Sequence, residues 1–287
     1  SRLPDPYFFT PINEITFFSF CGGEWGWVAP YKTTKEDRFR FRLALCKAAI
    51  AGVKAIREVE PLSRMVHIDP LVQVVAPRDR PNLVEAAHHE TYVDTFLAWD
   101  ILYGKEHPEL GGSPEILDIV GANNYSFGQM EYREQGPHQS LEPHDDRIKP
   151  LHDLMQRVWE RYHRPMIVGE TSGLEEGRDE WLKDVVEESL AAVNSGMDLH
   201  GICLFPAVDM PDWHTGEWLH NGICDLVEEG DNLKRVPYEP YIAELRRQKE
   251  FNRVMTLDTD PLSDPVELQD VIDAAKRLQP EPDRDWS

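Results

Sequence analysis

Five short stretches of the chain are almost continuously apolar, which predicts strands buried on both faces of a sheet. They lie at residues 6–13, 65–75, 116–125, 164–171 and 200–208. Between them, apolar side chains recur at the three- to four-residue spacing that is typical of helices. The helical stretches span residues 39–56, 151–162, 181–193 and 238–252. Strands that alternate with helices in this way predict an α/β fold with a parallel sheet.

The end of the chain has a different character. Asp264 is a suitable N-cap, Pro265 suits the first turn of a helix, and Glu267 follows the cap by three residues. These signals predict one amphipathic helix followed by a flexible end. We therefore expect a main domain at residues 1–252 and a C-terminal helix and flexible tail at residues 253–287.

The charge of the chain excludes several kinds of partner. Its formal net charge is -22, so a phosphate backbone or an anionic membrane surface would repel it. No apolar run approaches the roughly 20 residues that a membrane-spanning helix needs. We expect neither nucleic acid nor a membrane as a partner.

The cysteines are few and far apart. Cys21, Cys46, Cys203 and Cys224 form no CxxC pair, so a disulfide framework is not predicted. This spacing favours free thiols and a reducing, cytoplasmic location.

Two glutamates directly follow predicted strands, and they are the main candidates for chemistry. Glu14 follows PYFFTPIN in the first stretch, and Glu170 follows PMIVG in the fourth. The carboxyl ends of parallel strands lie at one edge of a sheet, so the two side chains could meet there. A pair of carboxyl groups is what glycoside cleavage requires, one as an acid and the other as a nucleophile or base.

Four segments together resemble clan A glycoside hydrolases, and most of all family 1, the β-glucosidase family. PINEITFFS is similar to the fourth barrel strand, which ends in Asn-Glu, and PMIVGETSG is similar to the seventh, which ends in the nucleophile. DIVGANNYSF resembles the sixth strand, and GICLFPAVDMPDW with NGICDL resembles the eighth strand and its sugar-binding loop. The resemblance covers about residues 5–250. It implies a partial (β/α)8 TIM barrel, strands four to eight, with the helical tail attached.

The resemblance also implies a role for each matching residue. Glu14 corresponds to the acid/base, and Glu170 to the nucleophile of a retaining mechanism. Asn13 would bind the sugar 2-hydroxyl, and Tyr125 would donate a hydrogen bond to Glu170. The remaining substrate-binding positions are Asp212, Trp213 and Phe205. No metal or organic cofactor is implied, and the expected partner is a small carbohydrate or glycoside.

The chain departs from the family pattern in three places. Phe205-Pro206 stands where Trp-Ser is usual, and Asp212 stands where Glu is common, which leaves the preferred sugar open. The Asn-Glu motif normally follows three earlier strands, yet here it lies at residues 13–14. We therefore expect a fragment of a longer protein, or a barrel that a missing N-terminal segment or a partner chain completes.

Three other functions remain open from the sequence. His67 and Asp69, together with the cluster His88, His89 and Glu90, could serve a metal-dependent hydrolase, although their spacing lacks the HExxH pattern. A non-catalytic carbohydrate-binding or scaffold protein could have the same fold. A different clan A glycosidase, such as a β-galactosidase, mannanase or cellulase-like enzyme, would use the same two glutamates. The main prediction is hydrolysis of β-linked glycosides by double displacement.

Overall fold

The computed structural model describes residues 7–230 and 232–256. The strands and helices of its first half are β1 (Phe8–Phe9), α1 (Ile15–Gly23), α2 (Lys35–Val59), β2 (Arg64–Pro70), β3 (Gln73–Val75), α3 (Val84–His89), α4 (Leu97–Tyr103) and β4 (Ile119–Asn123). Those of its second half are β5 (Gln129–Glu131), β6 (Gln139–Ser140), α5 (Leu151–Tyr162), β7 (Met166–Thr171), α6 (Arg178–Asn194), β8 (Leu199–Leu204), β9 (Met210–Pro211), β10 (Trp218–Leu219), β11 (Cys224–Glu229), β12 (Asn232–Pro237) and α7 (Glu239–Thr256).

The central sheet has five strands in the order β1, β2, β4, β7, β8, and every neighbouring pair is parallel. Each strand lies beside the one that precedes it in this series, and helices connect them. The curled sheet is therefore part of a (β/α)8 barrel, as the sequence predicted. The loops after its strands converge at one face.

All five predicted strands are present, and each covers only part of its apolar run. In the run 65–75 the sheet strand ends at Pro70, and β3 belongs to a separate sheet with β5 and β6. In the run 6–13 only Phe8 and Phe9 pair with β2. Proline has no backbone N–H for a sheet hydrogen bond, which agrees with the end of β1 before Pro11.

The four predicted helices are confirmed as α2, α5, α6 and α7. Four further elements were not predicted from the sequence: α1, α3, α4 and the π-helical turn Glu90–Asp94 between α3 and α4. The predicted tail helix that begins near Asp264 lies outside the described residues. Within the part of the chain that the structure describes, no helix is long and apolar enough to span a membrane.

The core lies between the sheet and the helices that cover its outer face. Cys46, Ala49 and Val53 of α2 are buried there, as are Leu154 and Val158 of α5. On the barrel interior, two glycines leave room for a neighbour: a Cβ at Gly121 or Gly169 would overlap the side chain of Ile68. At Gly169 it would also overlap the Asn123 side chain. The glycine before Glu170 thus lets the interior side chains approach each other.

Candidate active site

Glu14 lies at a sharp change of direction between β1 and α1. Its backbone is left-handed, with φ 49° and ψ 58°, and its N–H donates to the carbonyl of Ile68 at 3.0 Å. This conformation costs an L-residue about 1–2 kcal/mol, so the surrounding contacts must hold it. The Glu14 side chain does not cap the helix that follows. Instead, its Oε1 accepts a hydrogen bond of 2.8 Å from Nδ2 of Asn123.

The environment of Glu14 favours a protonated carboxyl group. Burial is the largest cause and raises its pKa to about 8, with a further contribution from the negative charge of Glu170. The hydrogen bond from Asn123 opposes this shift, whereas the nearby Asp69 adds to it. At neutral pH the protonated form of this group is therefore favoured.

Glu170 lies in β7 and has hydrogen-bond donors that favour its charged form. The Tyr125 hydroxyl donates to its Oε2 at 2.7 Å, which is the contact that the family resemblance implies. Burial raises the pKa of Glu170, while hydrogen bonds from the side chains of Tyr125 and Asn13 lower it. Burial thus raises the pKa of both glutamates, but two side chains oppose the shift at Glu170 and one opposes it at Glu14.

The loops after β8 contribute the other three predicted residues. Phe205 follows β8 directly, before a cis bond to Pro206, and its N–H donates to the carbonyl of Thr171 at 3.2 Å. Trp213 is 59% exposed, and its ring makes an edge contact with Phe18 of α1 at 6.2 Å between centroids. This contact joins the loop after β9 to the helix that follows Glu14.

Asp212 has a local structural contact that the resemblance did not imply. Its Oδ1 accepts hydrogen bonds from the backbone N–H groups of His214 at 2.9 Å and Thr215 at 2.7 Å. These bonds hold the turn that carries Trp213. The structure therefore brings Glu14, Glu170 and Tyr125 together, with Asn13 at Glu170, while one oxygen of Asp212 is engaged by its own turn.

Asn123 is a site residue that the sequence analysis missed. Asn123 ends β4 and Tyr125 lies two residues further along, a spacing that places both side chains on the same side of an extended backbone. Their contacts with Glu14 and Glu170 agree with this spacing. This two-residue spacing was visible in the segment GANNY, but Asn123 has no charge or reactive group that singles it out as a site residue.

The residues of the metal-dependent alternative are engaged elsewhere. His67 is buried with Nε2 at 2.9 Å from the carbonyl of Ile116, and burial lowers its pKa to about 4. Asp69 accepts hydrogen bonds from α1. His88 stacks on Tyr92 at 4.4 Å.

A different trio, Asp209, His220 and Asp225, is the one group among residues 7–230 and 232–256 whose ligand atoms are close enough for a metal ion. The guanidinium of Arg178 already provides the positive charge there: its Nη1 lies 2.8 Å from Asp225 and 3.7 Å from Asp209. Asp209 also accepts hydrogen bonds from His220 and from backbone N–H groups. This trio is therefore explained as part of the loop structure.

No protein-family model matches the sequence, and no curated protein matches it. Several solved structures, in contrast, are similar to this chain. A family 1 β-glucosidase from Thermotoga maritima in complex with isofagomine lactam is 18% identical, with a TM-score of 0.68 over 83% of this chain and 63% of that one.

Two further Thermotoga maritima structures give similar figures. The β-glucosidase in complex with glucoimidazole is 17% identical with a TM-score of 0.67, covering 83% of this chain and 62% of that one. The family 1 glycoside hydrolase complexed with a cyclophellitol analogue is 18% identical with a TM-score of 0.65, with coverages of 83% and 63%. This chain thus spans a little under two thirds of their length. It has a partial (β/α)8 barrel like that of the family 1 β-glucosidases.

Proposed function

We propose that the protein hydrolyses β-linked glycosides by double displacement, with Glu14 as the general acid/base and Glu170 as the nucleophile. The strongest support is the difference between the two carboxyl groups: burial raises the pKa of Glu14 to about 8, whereas at Glu170 hydrogen bonds from two side chains oppose the upward shift that burial causes. Acid and nucleophile need such opposite settings at neutral pH.

The first step transfers the sugar to the protein. The Glu170 carboxylate attacks the anomeric carbon while Glu14 gives its proton to the departing oxygen. Tyr125 orients Glu170 and stabilises its charged form before the attack. Asn123 holds the Glu14 carboxyl at the end of β4.

The charge interaction between the two groups suits the second step as well. Glu170 raises the pKa of Glu14 because both are acidic, and this repulsion disappears when Glu170 becomes an uncharged ester. The pKa of Glu14 then falls, so the group can accept a proton from the water that releases the sugar.

Substrate binding is assigned to the aromatic and polar side chains around the two glutamates. Asn13 would bind the 2-hydroxyl, Trp213 and Phe205 would contact the apolar sugar face, and Asp212 would bind an outer hydroxyl. The similar structures contain glucoimidazole and isofagomine lactam, which favours a monosaccharide-sized sugar site. The proposed reaction uses neither a metal nor an organic cofactor.

The sheet also has room for an additional segment or partner. No strand within residues 7–230 and 232–256 pairs with the outer edge of β1 or of β8. Unpaired edges are templates for further strands. We propose that an N-terminal segment or a partner chain pairs with these two edges and completes the barrel for full activity.

The stereochemistry of the first-formed product tests the proposal. The full-length protein is incubated with a panel of aryl β-glycosides, and the anomer is followed by proton NMR. Double displacement predicts that the β-anomer appears first. An α-anomer would contradict it, and a protein that binds the sugars without cleaving any of them would favour the non-catalytic alternative.

Replacing Tyr125 by phenylalanine should make Glu170 harder to ionise. A hydrogen bond to a charged group contributes about 1.5–3 kcal/mol, so kcat/KM should fall roughly ten- to hundredfold. Because Tyr125 lowers the pKa of Glu170, its loss should move the acidic limb of the pH profile to higher pH. Tyr103→Phe on α4 is the matched control, and an unchanged acidic limb in Tyr125→Phe would contradict the assignment.

A further inference from the structure

Asp69 is a buried carboxylate that the proposed reaction does not use. It lies near the end of β2 and is 2% exposed. Its Oδ1 accepts a hydrogen bond of 2.9 Å from the N–H of Thr16, and its Oδ2 accepts one of 2.7 Å from the Thr16 hydroxyl. The backbone of Phe17 also donates to it. All these donors belong to the first turn of α1.

These contacts make Asp69 the cap of a helix to which it does not belong. The first N–H groups of a helix have no partner within it, and the N-cap side chain usually accepts one of them. In α1 the N-cap residue is Glu14, whose side chain makes no such bond because it is turned to Asn123. Asp69, which lies 53 residues after Thr16, takes over this task.

The backbone carbonyl of Ile68 adds a further contact, and together with the Asp69 carboxylate it forms a clamp on the start of α1. The N–H of Glu14 donates to the Ile68 carbonyl at 3.0 Å, so two consecutive residues of β2 hold residues 14–17. The left-handed backbone of Glu14 is thereby fixed between β1 and α1. Without this clamp, fewer contacts would hold the strained backbone of Glu14 in place.

The charge of Asp69 is compensated from α2. Burial raises its pKa to about 7, while the donors of Thr16 and the positive charge of Arg42 lower it. Arg42 is 1% exposed and also donates to Asp94 and Ser19. The net effect is still a raised pKa, so the assignment of Asp69 as a hydrogen-bond acceptor rests on geometry: both of its oxygens accept hydrogen bonds from Thr16.

We propose that Asp69 is a positioning residue for Glu14: its carboxylate caps α1 in place of the Glu14 side chain and so keeps the Glu14 carboxyl free to lie against Asn123. The inference rests on the proposed function, in which Glu14 is the acid. It predicts that damage to the clamp impairs proton donation more than nucleophilic attack.

Leaving-group dependence separates these two effects. A dinitrophenyl glycoside needs little protonation on departure, whereas an alkyl glycoside depends on the acid. In the full-length protein, Asp69→Ala should lower the alkyl-to-dinitrophenyl ratio of kcat/KM by about 10²-fold, because a misplacement of 1 Å can cost that much. Asp69→Asn retains an acceptor oxygen and should keep the ratio within about threefold of the parent protein.

The pH profile gives a second readout that a purely structural role would not change. The groups that act on the Glu14 titration are Glu170 from β7, Asn123 from β4 and Asp69 from β2, with Cys21 of α1 and Tyr125 nearby. The negative charge of Asp69 raises the pKa of Glu14. Asp69→Asn should therefore move the alkaline limb to lower pH.

Thr34→Ala is the matched control, because Thr34 caps α2 by accepting from the N–H of Asp37 at 3.0 Å. It should lower the melting temperature without altering the leaving-group ratio. An unchanged ratio in Asp69→Ala, or an equal fall in Thr34→Ala, would overturn the proposal.

Thr16→Val is the second variant, to be used if Asp69→Ala does not fold. It removes the hydrogen bond from the Thr16 hydroxyl to Asp69 and is expected to lower the alkyl-to-dinitrophenyl ratio severalfold. An unchanged ratio in this variant would overturn the proposal.

NMR distinguishes failure of this proposal from failure of the proposed function. If the parent protein cleaves no glycoside, the side-chain amide resonances of Asn123 still report its contact with Glu14. They should shift in Asp69→Ala and not in Thr34→Ala. Unchanged Asn123 resonances in Asp69→Ala would refute the positioning role whether or not the protein is an enzyme.

Discussion

Replacing Glu170 by glutamine should lower kcat/KM for every glycoside by on the order of 10⁴-fold or more. The amide has nearly the same size and can still contact Tyr125, but it cannot attack the anomeric carbon. Because the loss concerns the bond-forming group, it should be equally severe for substrates with good and poor leaving groups. Steady-state kinetics with dinitrophenyl and alkyl glycosides measures this directly.

Glu176→Gln is the matched control for this variant. Glu176 is an exposed residue in the loop after β7, and the same change there should leave kinetics intact. Retention of more than about one hundredth of the activity in Glu170→Gln would remove the residue from the nucleophile role, since a group that bonds covalently to the substrate contributes far more.

Glu14→Gln should have a different signature. General acid catalysis contributes about 10²–10⁴-fold, so hydrolysis of alkyl glycosides should fall by that amount. The first step with a dinitrophenyl glycoside should change little, because that leaving group departs without a proton. A burst of dinitrophenol followed by slow turnover is expected, since the variant also lacks the base of the second step.

The pH profile of the parent protein should carry the signature of the same group. The pKa of Glu14 is raised to about 8, so the acid is present below that pH and is lost as the pH rises through it. Activity should therefore fall on the alkaline side near pH 8, and Glu14→Gln should abolish this limb. Glu58→Gln, an exposed change on α2, should preserve it. Persistence of the limb in Glu14→Gln would assign it to another group.

The sequence was sufficient for the strands and for the two glutamates at their ends. Short apolar runs that alternate with helical stretches favour buried parallel strands, and an acidic residue at the end of such a run is expected at the carboxyl edge of the sheet. The helix α1 was missed because ITFFSFCGG is apolar around most of its circumference, so no helical periodicity could be recognised. Its start also lacks an N-cap side chain of its own.

The contacts that define the site were harder to predict because they join distant parts of the chain. Asn123 and Glu14 are 109 residues apart, and Asp69 and Thr16 are 53 apart. Asp69 was considered as a metal ligand on residue type alone, whereas the fold turns it towards α1. The local turn at Asp212 is different: an Asp that accepts from backbone N–H groups two and three residues later is a common short-range motif, so this contact was accessible from sequence.

The central claim is that Glu170 forms a covalent bond to the sugar, and trapping that bond tests it most directly. The full-length protein is treated with 2-deoxy-2-fluoro glycosyl fluorides of several sugars, and the labelled peptide is identified by mass spectrometry, with Glu170→Gln as the unlabelled control. We predict one sugar per protein molecule, attached to Glu170. A label on any other residue, or a protein that binds the sugars but forms no adduct with any of them, would contradict the claim.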